Sequence, residues 1–364
     1  MIVYFADRSM KVLGLAATNL PSGHVISNDE KTDELETGVR SLEFDVGYEN
    51  RAKAETLTMP GNYLLRSSKG EKEFYTIVDS TVSLAEKNVH VYAEDSGLDL
   101  INEECDEYTA SSAMTIEAYT AIFAQDTGFE IGINEVSDQT RTLSWTNKET
   151  AISRLQNLAE EFGAELSFSF EIDKLQVTHK YINFWKRRGK EVAGVLRIGH
   201  HIKNVRITRS VANVATAIIP QGNTPSGSGS PVTISGMSYD DGDIYVSGSW
   251  LKSRKALAKW SRYLSPDEGD QTGTGDIVKR WQCDTASQSV LLAKSIEHLK
   301  EISEMEITYE ADVVELPPNV GIGDVVKIAD EEDNQYIQAR VTKLVTSASD
   351  GKPKITLGEY TTTN

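Results

Sequence analysis

Cysteine is almost missing from this 364-residue chain: there are two, Cys105 and Cys283, neither with a CxxC partner, which argues against a disulfide scaffold and against a cysteine-built zinc site. A reducing cytoplasm suits such a chain as its place of synthesis. Long apolar runs are missing too. The run Met1–Phe5 is cut by Asp7 and Arg8, and no stretch reaches the roughly 18 apolar residues of a membrane span, so neither a signal peptide nor an anchor is expected. Positive charge is scarce, with 37 Lys and Arg against 55 Asp and Glu and a net charge of −18. Gripping nucleic acid requires Lys and Arg to displace counterions from phosphates, so that class of function is disfavoured.

Catalytic signatures are lacking as well. The six histidines form no ligand pattern: His200 and His201 are adjacent and would point to opposite faces of a strand, and His179 shares a strand face with Leu175, Val177 and Tyr181 as a satisfied, semi-buried histidine. There is no HExxH, no GxSxG and no cysteine with a base in reach, so no catalytic, cofactor-binding or metal-binding residue is assigned. The carboxylate clusters Asp240-Asp241-Gly242-Asp243 and Asp330-Glu331-Glu332-Asp333-Asn334 offer hard oxygen ligands for calcium but follow no EF-hand register, and read first as solvated hairpin turns with weak calcium binding as the alternative. Thr272-Gly273-Thr274-Gly275 lacks the Lys-Ser/Thr ending of a phosphate loop.

What is present is the pattern of a folded, multidomain α+β protein. At this length two to three cores are expected. Residues 1–96 read as short strands between the turn signals Pro21-Ser22-Gly23, Pro60-Gly61-Asn62 and Ser68-Lys69-Gly70, with Leu42, Phe44 and Val46 alternating inward and Val89, Val91 and Ala93 sharing a face; this predicts a small β-barrel-like unit and no persistent helix. Residues 97–190 change period. Ile116, Tyr119, Ile122 and Phe123 recur at helical spacing, and a second helix carries Ile152, Leu155, Leu158, Ala159 and Phe162 after a Thr146/Glu149 capping pair. A hairpin turning at Asp173-Lys174 should give these helices a sheet to cover.

Strand signal returns at 191–222, including Ala215–Ile219, stops at the Gly/Ser-rich stretch 222–231 and resumes near Ile307. Two or three strands cannot close a barrel alone, so a discontinuous second barrel, 191–222 with 305–364, is expected, with an inserted α+β unit at 223–304. That insert should hold helices near Leu251–Leu264 and Thr285–Ser303 around an acidic, Gly-rich loop. The helix bearing Lys252, Arg254, Lys255, Lys259 and Arg262 is basic, either as a solvated face or as a partner for an acidic neighbour. Lys186-Arg187-Arg188 reads as a surface turn.

The order barrel, α+β unit, split barrel and insert, with the stretches Lys72–Ile77, Val89–Glu94, Leu98–Leu100, Ala151–Val177 and Leu316–Ile328, resembles the N-terminal hub region of the prophage tail-endopeptidase (minor structural, tail-associated) protein family, itself similar to the baseplate hub of contractile-tailed phages. The resemblance implies a non-enzymatic structural hub at the virion tail tip, made in the host cytoplasm. It implies a homotrimer whose two barrels alternate into a near-sixfold ring, meeting a distal tail protein ring, tail tube or tape-measure proteins, with DNA only passing through the channel; the net charge of −18 separately leads to the expectation of an acidic bore. Longer members carry an endopeptidase region after the hub; the chain stops at Asn364, so that region is expected to be absent. The alternatives are a tail-associated cell-wall hydrolase and a carbohydrate-binding module using Trp185, Trp250, Trp260 and Trp281.

Overall fold

The structure, a computed structural model, describes every residue except 21–22, 69–70, 97, 225–228, 262–274, 284, 314–319, 331–334, 350, 352 and 364. Its fold class is α+β with several cores. Seven strands close the first barrel: β1 (Ile2–Ala6), β2 (Val12–Ala17), β3 (His24–Glu34), β4 (Arg40–Gly47), β5 (Tyr63–Ser68), β6 (Glu71–Ser83) and β7 (Asn88–Glu94). The ladder runs β1-β2-β3-β4-β7-β6-β5 and returns from β5 to β1. Period-two alternation drives it, since Leu42, Phe44, Val46, Val89, Val91 and Ala93 are all fully buried. One helix interrupts the expected run of strands. Asn50 accepts the N–H of Lys53 to cap α1 (Arg51–Leu57), which lodges Ala54 and Leu57 in the same core.

The second unit contains α2 (Leu98–Asn102), the two-residue strands β8 (Glu104–Cys105) and β9 (Tyr108–Thr109), α3 (Ile116–Phe123), β10 (Phe129–Asn134), β11 (Ser144–Trp145), β12 (Glu149–Thr150), α4 (Ala151–Glu161), β13 (Glu165–Asp173) and β14 (Gln176–Trp185). The three-stranded sheet β10-β14-β13 packs Leu166, Phe168, Ile182 and Phe184 on α3 and α4. The α4 stripe is buried at Leu155, Leu158, Ala159 and Phe162. Its cap is Thr150, whose hydroxyl accepts the Ser153 N–H, and not the expected Thr146, because Glu149 is turned to Arg154 and Asn157. Ile122, expected inward, is 40 % exposed.

Six strands curl around the third core: β15 (Glu191–Arg197), β16 (Ile202–Ser210), β21 (Glu306–Val313), β22 (Val325–Asp330), β23 (Gln335–Thr346) and β24 (Lys354–Thr363). Their order is β15-β22-β23-β24-β21-β16, so residues near 200 do close on strands beyond 305. The sheet stays open between β15 and β16, which meet only at the Ile198↔Ile202 bridge. Between β16 and β21 lie β17 (Ala217–Gln221), β18 (Ile244–Ser247), β19 (Trp250–Ser253), α5 (Arg254–Trp260), β20 (Val278–Gln282) and α6 (Gln288–Ile302). Here the structure corrects the expectation for Ala215–Ile219. That run does not join the second barrel; as β17 it pairs with β19 and β20 under α6, where Ile218 meets Leu251, Leu291 and Leu299. The helix expected from Leu251 begins only at Arg254, since Trp250–Ser253 is a strand.

The inter-barrel seam as candidate functional site

Two joints lock the units together. The long strands β3 and β23 each outrun their own barrel and pair with one another, Glu34↔Lys343 through Lys31↔Thr346, antiparallel. The ladder is extended by the Leu35 N–H donating to Thr342 O at 2.9 Å. Lys343 and Glu34 add an ion pair at 2.6 Å. A backbone irregularity in β3 between Ser27 and Glu30 turns Asp29 into the seam, where its carboxylate accepts the N–H groups of Ala348 (2.6 Å) and Ser349 (2.9 Å) at the turn after β23. Burial raises the Asp29 pKa, but the Ser349 and Ala348 donors outweigh it and hold the carboxyl below its ordinary 3.8.

Strand β13 is the second lock, because both barrels grip it. From the first barrel, Arg40 forms a bidentate contact with the fully buried Asp95, at 2.8 Å from its N–H and 2.7 Å from Nε, and donates to Phe168 O at 3.1 Å. Burial pushes the Asp95 carboxyl up to about 6 against the pull of Arg40. Gly38, at φ 68°, approaches so closely that a Cβ there would lie 2.4 Å from Leu166 O. Farther along, Phe74 packs on Phe170 with ring centroids 5.1 Å apart, and Ile172 joins Ala6 and Leu65. From the second barrel, Arg340, 2 % exposed, reaches both oxygens of Glu165 at 2.7 Å and donates to Gly323 O and Arg188 O. A Cβ on Gly189 would stand 2.1 Å from the Gly323 carbonyl, so backbone meets backbone at this joint.

The residues singled out in the sequence fall elsewhere. His200 and His201 occupy the turn between β15 and β16, where His201 Nδ1 accepts the Arg197 N–H at 3.2 Å. His179 is not semi-buried: it sits on the exposed side of β14, 3.2 Å from Glu130 and stacked on Tyr181. Asp240 and Asp241 accept the N–H groups of Gly242, Asp243 and Ile244, a turn; Arg254 at 2.7 Å holds Asp240 down to about 2. Residues 331–334 and the loop 272–274 lie outside the described residues.

The basic helix is largely used within the chain. Lys252 pairs with Asp276 at 2.6 Å, Arg254 with Asp240 and Lys259 with Glu304, while Arg262 is outside the described residues. Arg188 is no surface group, since its N–H donates to Glu165 at 2.6 Å and its guanidinium to Leu166 O. Trp185, Trp260 and Trp281 are packing groups, the first two donating to Ser167 and Ser303 O and the third stacked on His298. Trp250 carries the Lys252 ammonium 4.9 Å from its ring centroid. Among the described residues no three His, Cys, Asp or Glu side chains converge as metal ligands, and no helix is long and apolar enough to cross a membrane. Sequence reasoning missed the seam entirely. Strand length gave no signal either, since β3 and β23 have 11 and 12 residues and β6, outside the seam, has 13.

The chain has the fold of phage tail proteins. It aligns over 98 % of its length with 98 % of the prophage MuSo2 43 kDa tail protein from Shewanella oneidensis, at TM-score 0.62 and 15 % identity. It is similar to the tail protein from Neisseria meningitidis MC58 over 98 % of this chain and 96 % of that one, at TM-score 0.58 and 11 % identity. The prophage tail protein gp18 from Listeria monocytogenes EGD-e matches over 99 % of this chain and 94 % of its own, at TM-score 0.56 and 13 % identity. Residues 190–363 carry the match to the prophage endopeptidase tail family. No curated protein matches the chain.

Proposed function

We propose that the chain is a structural hub of a phage tail tip, three copies closing a ring in which two barrels per copy alternate. The ring joins the tail tube and distal tail ring above to the host-contacting tip below. The observation that carries this reading is the seam: two barrels locked edge to edge and cross-braced by β13 form one unit, and threefold repetition of a two-barrel unit presents near-sixfold contacts. In this reading the units are 1–96, 97–190, the split pair 191–222 with 305–364, and the insert 223–304, with the strand at 217–221 transferred to the insert. The net charge of −18 supports an acidic bore that repels exiting DNA. The protein acts in the virion tail after synthesis in the host cytoplasm, needs no cofactor and performs no catalysis. Electron cryomicroscopy of tails tests this directly: three copies around the axis at the tip are expected, and density along the tube or at another copy number refutes it.

Residues 190–363 match a family of prophage endopeptidase tails, so hydrolysis of cell wall is the second reading. Incubation with purified peptidoglycan separates the two; release of muropeptides would favour the enzyme.

A further inference from the structure

The two barrels carry outward surfaces of opposite charge. In the first barrel, β4 pairs with the seam strand β3, and β7 and β6 follow two and three strands from it. Their outward positions carry Glu43 and Asp79, which flank Tyr92 from either side, with Glu94 bonded to the Tyr92 hydroxyl; Glu34, nearer the seam, is paired with Lys343. Burial and then Glu94, Glu43 and Glu34 push that hydroxyl up, so the carboxylates act on one spot. In the second barrel, β22 pairs with the seam strand β23, and β15 and β16 lie two and three strands from it. Leu196, Val326 and Ile328 point inward there, and Arg197, Lys203, Arg206 and Lys327 are exposed, against one exposed carboxylate on β15, Glu191. Arg206 has a companion in Glu310, but the side chains are 67 % and 52 % exposed.

We propose that the acidic β4–β7–β6 wall of one copy docks on the basic β15–β16–β22 wall of a second copy of this chain, head to tail. A positive wall on a chain of net charge −18 would otherwise be unusual, and charge complementarity is what selects one register of approach and speeds encounter. Two different surfaces meeting in a heterologous contact generate a closed ring when the rotation closes. The inference rests on the ring reading above and adds the surfaces that make it.

The test uses the full chain and three variants: Glu43→Lys with Asp79→Lys, Lys203→Glu with Lys327→Glu, and all four together. Oligomeric mass is followed by light scattering against protein and salt concentration, and carbodiimide coupling of amines to carboxylates maps contacts. The expected result is self-association that weakens with salt, on the order of tenfold or more weaker in either double variant, restored in the fourfold variant, with Lys203 or Lys327 coupled to Glu43 or Asp79 of another copy. Restoration also shows that the doubles are folded. Association indifferent to both doubles overturns the docking surfaces and leaves the ring standing. A chain that stays monomeric at every concentration, with no intermolecular coupling, overturns both.

Discussion

Replacing Arg340 with alanine should be the most damaging single change at the joint between β13 and the second barrel. The guanidinium is 2 % exposed and loses four contacts at once: both Glu165 oxygens at 2.7 Å, Gly323 O at 3.0 Å and Arg188 O at 2.8 Å. Removing one partner of a buried pair costs about 3–5 kcal/mol, because the other charge is stranded. Glu165 is not wholly stranded, being 21 % exposed and keeping the Arg188 N–H, which moves the expected loss to the lower end, about 3 kcal/mol. Glu165→Gln should cost less, since an amide still accepts one bond. In the double substitution Arg340→Ala with Glu165→Gln the stranded charge is gone, so the double should lose less than the sum of the two singles. Urea denaturation of the four proteins measures this, taken from the transition of the second barrel if the units melt separately. A loss under about 1 kcal/mol for Arg340→Ala, or strict additivity in the cycle, would refute the account of this joint.

Gly38→Ala should cost about 2–4 kcal/mol, from a left-handed φ and a Cβ 2.4 Å from Leu166 O, and thermal melting reads it; a neutral result means the two backbones do not touch. Phe74→Ala opens the contact with Phe170 and should cost about 3–5 kcal/mol, loosening hydrogen-exchange protection in β13 as well as in β6. Asp29 has its pKa depressed in the folded state, so its stabilisation is complete above the ordinary carboxylate pKa of 3.8 and is lost as pH falls through the lower folded value. The denaturation difference between the native chain and Asp29→Asn should therefore be constant near neutrality and shrink in acid; a difference that grows in acid reverses the sign and the reasoning.

The barrels were legible where local chemistry is decisive. Leu42, Phe44 and Val46 alternate, and so do Val89, Val91 and Ala93, because each strand has one face in a core; the stripe from Leu155 to Phe162 shows the helical period for the same reason. The split barrel was legible from a deficit, the strands near 200 having no partners nearby. Ala215–Ile219 was misplaced because an apolar run names no sheet and no turn signal parts it from β16. Arg154 went unseen: a basic residue on the α4 stripe reads as solvent-exposed, yet it is fully buried beneath Phe123 and Trp145, with ring distances of 5.0 and 4.9 Å, and held by Glu149. The seam was illegible because its partners lie some 300 positions apart. Asp29, amid Asn28 and Glu30, looks like any polar turn until the turn after β23 arrives beside it.

The central claim is that the seam and β13 fix the two barrels as one body. Spin labels at Ala85→Cys and Asn204→Cys, both exposed, with the native cysteines buried, report the separation of the barrels in solution. The account predicts a single narrow distance distribution that broadens in Arg340→Ala. A broad or multiply peaked distribution in the otherwise unaltered chain would show that the barrels swing freely, and would contradict it.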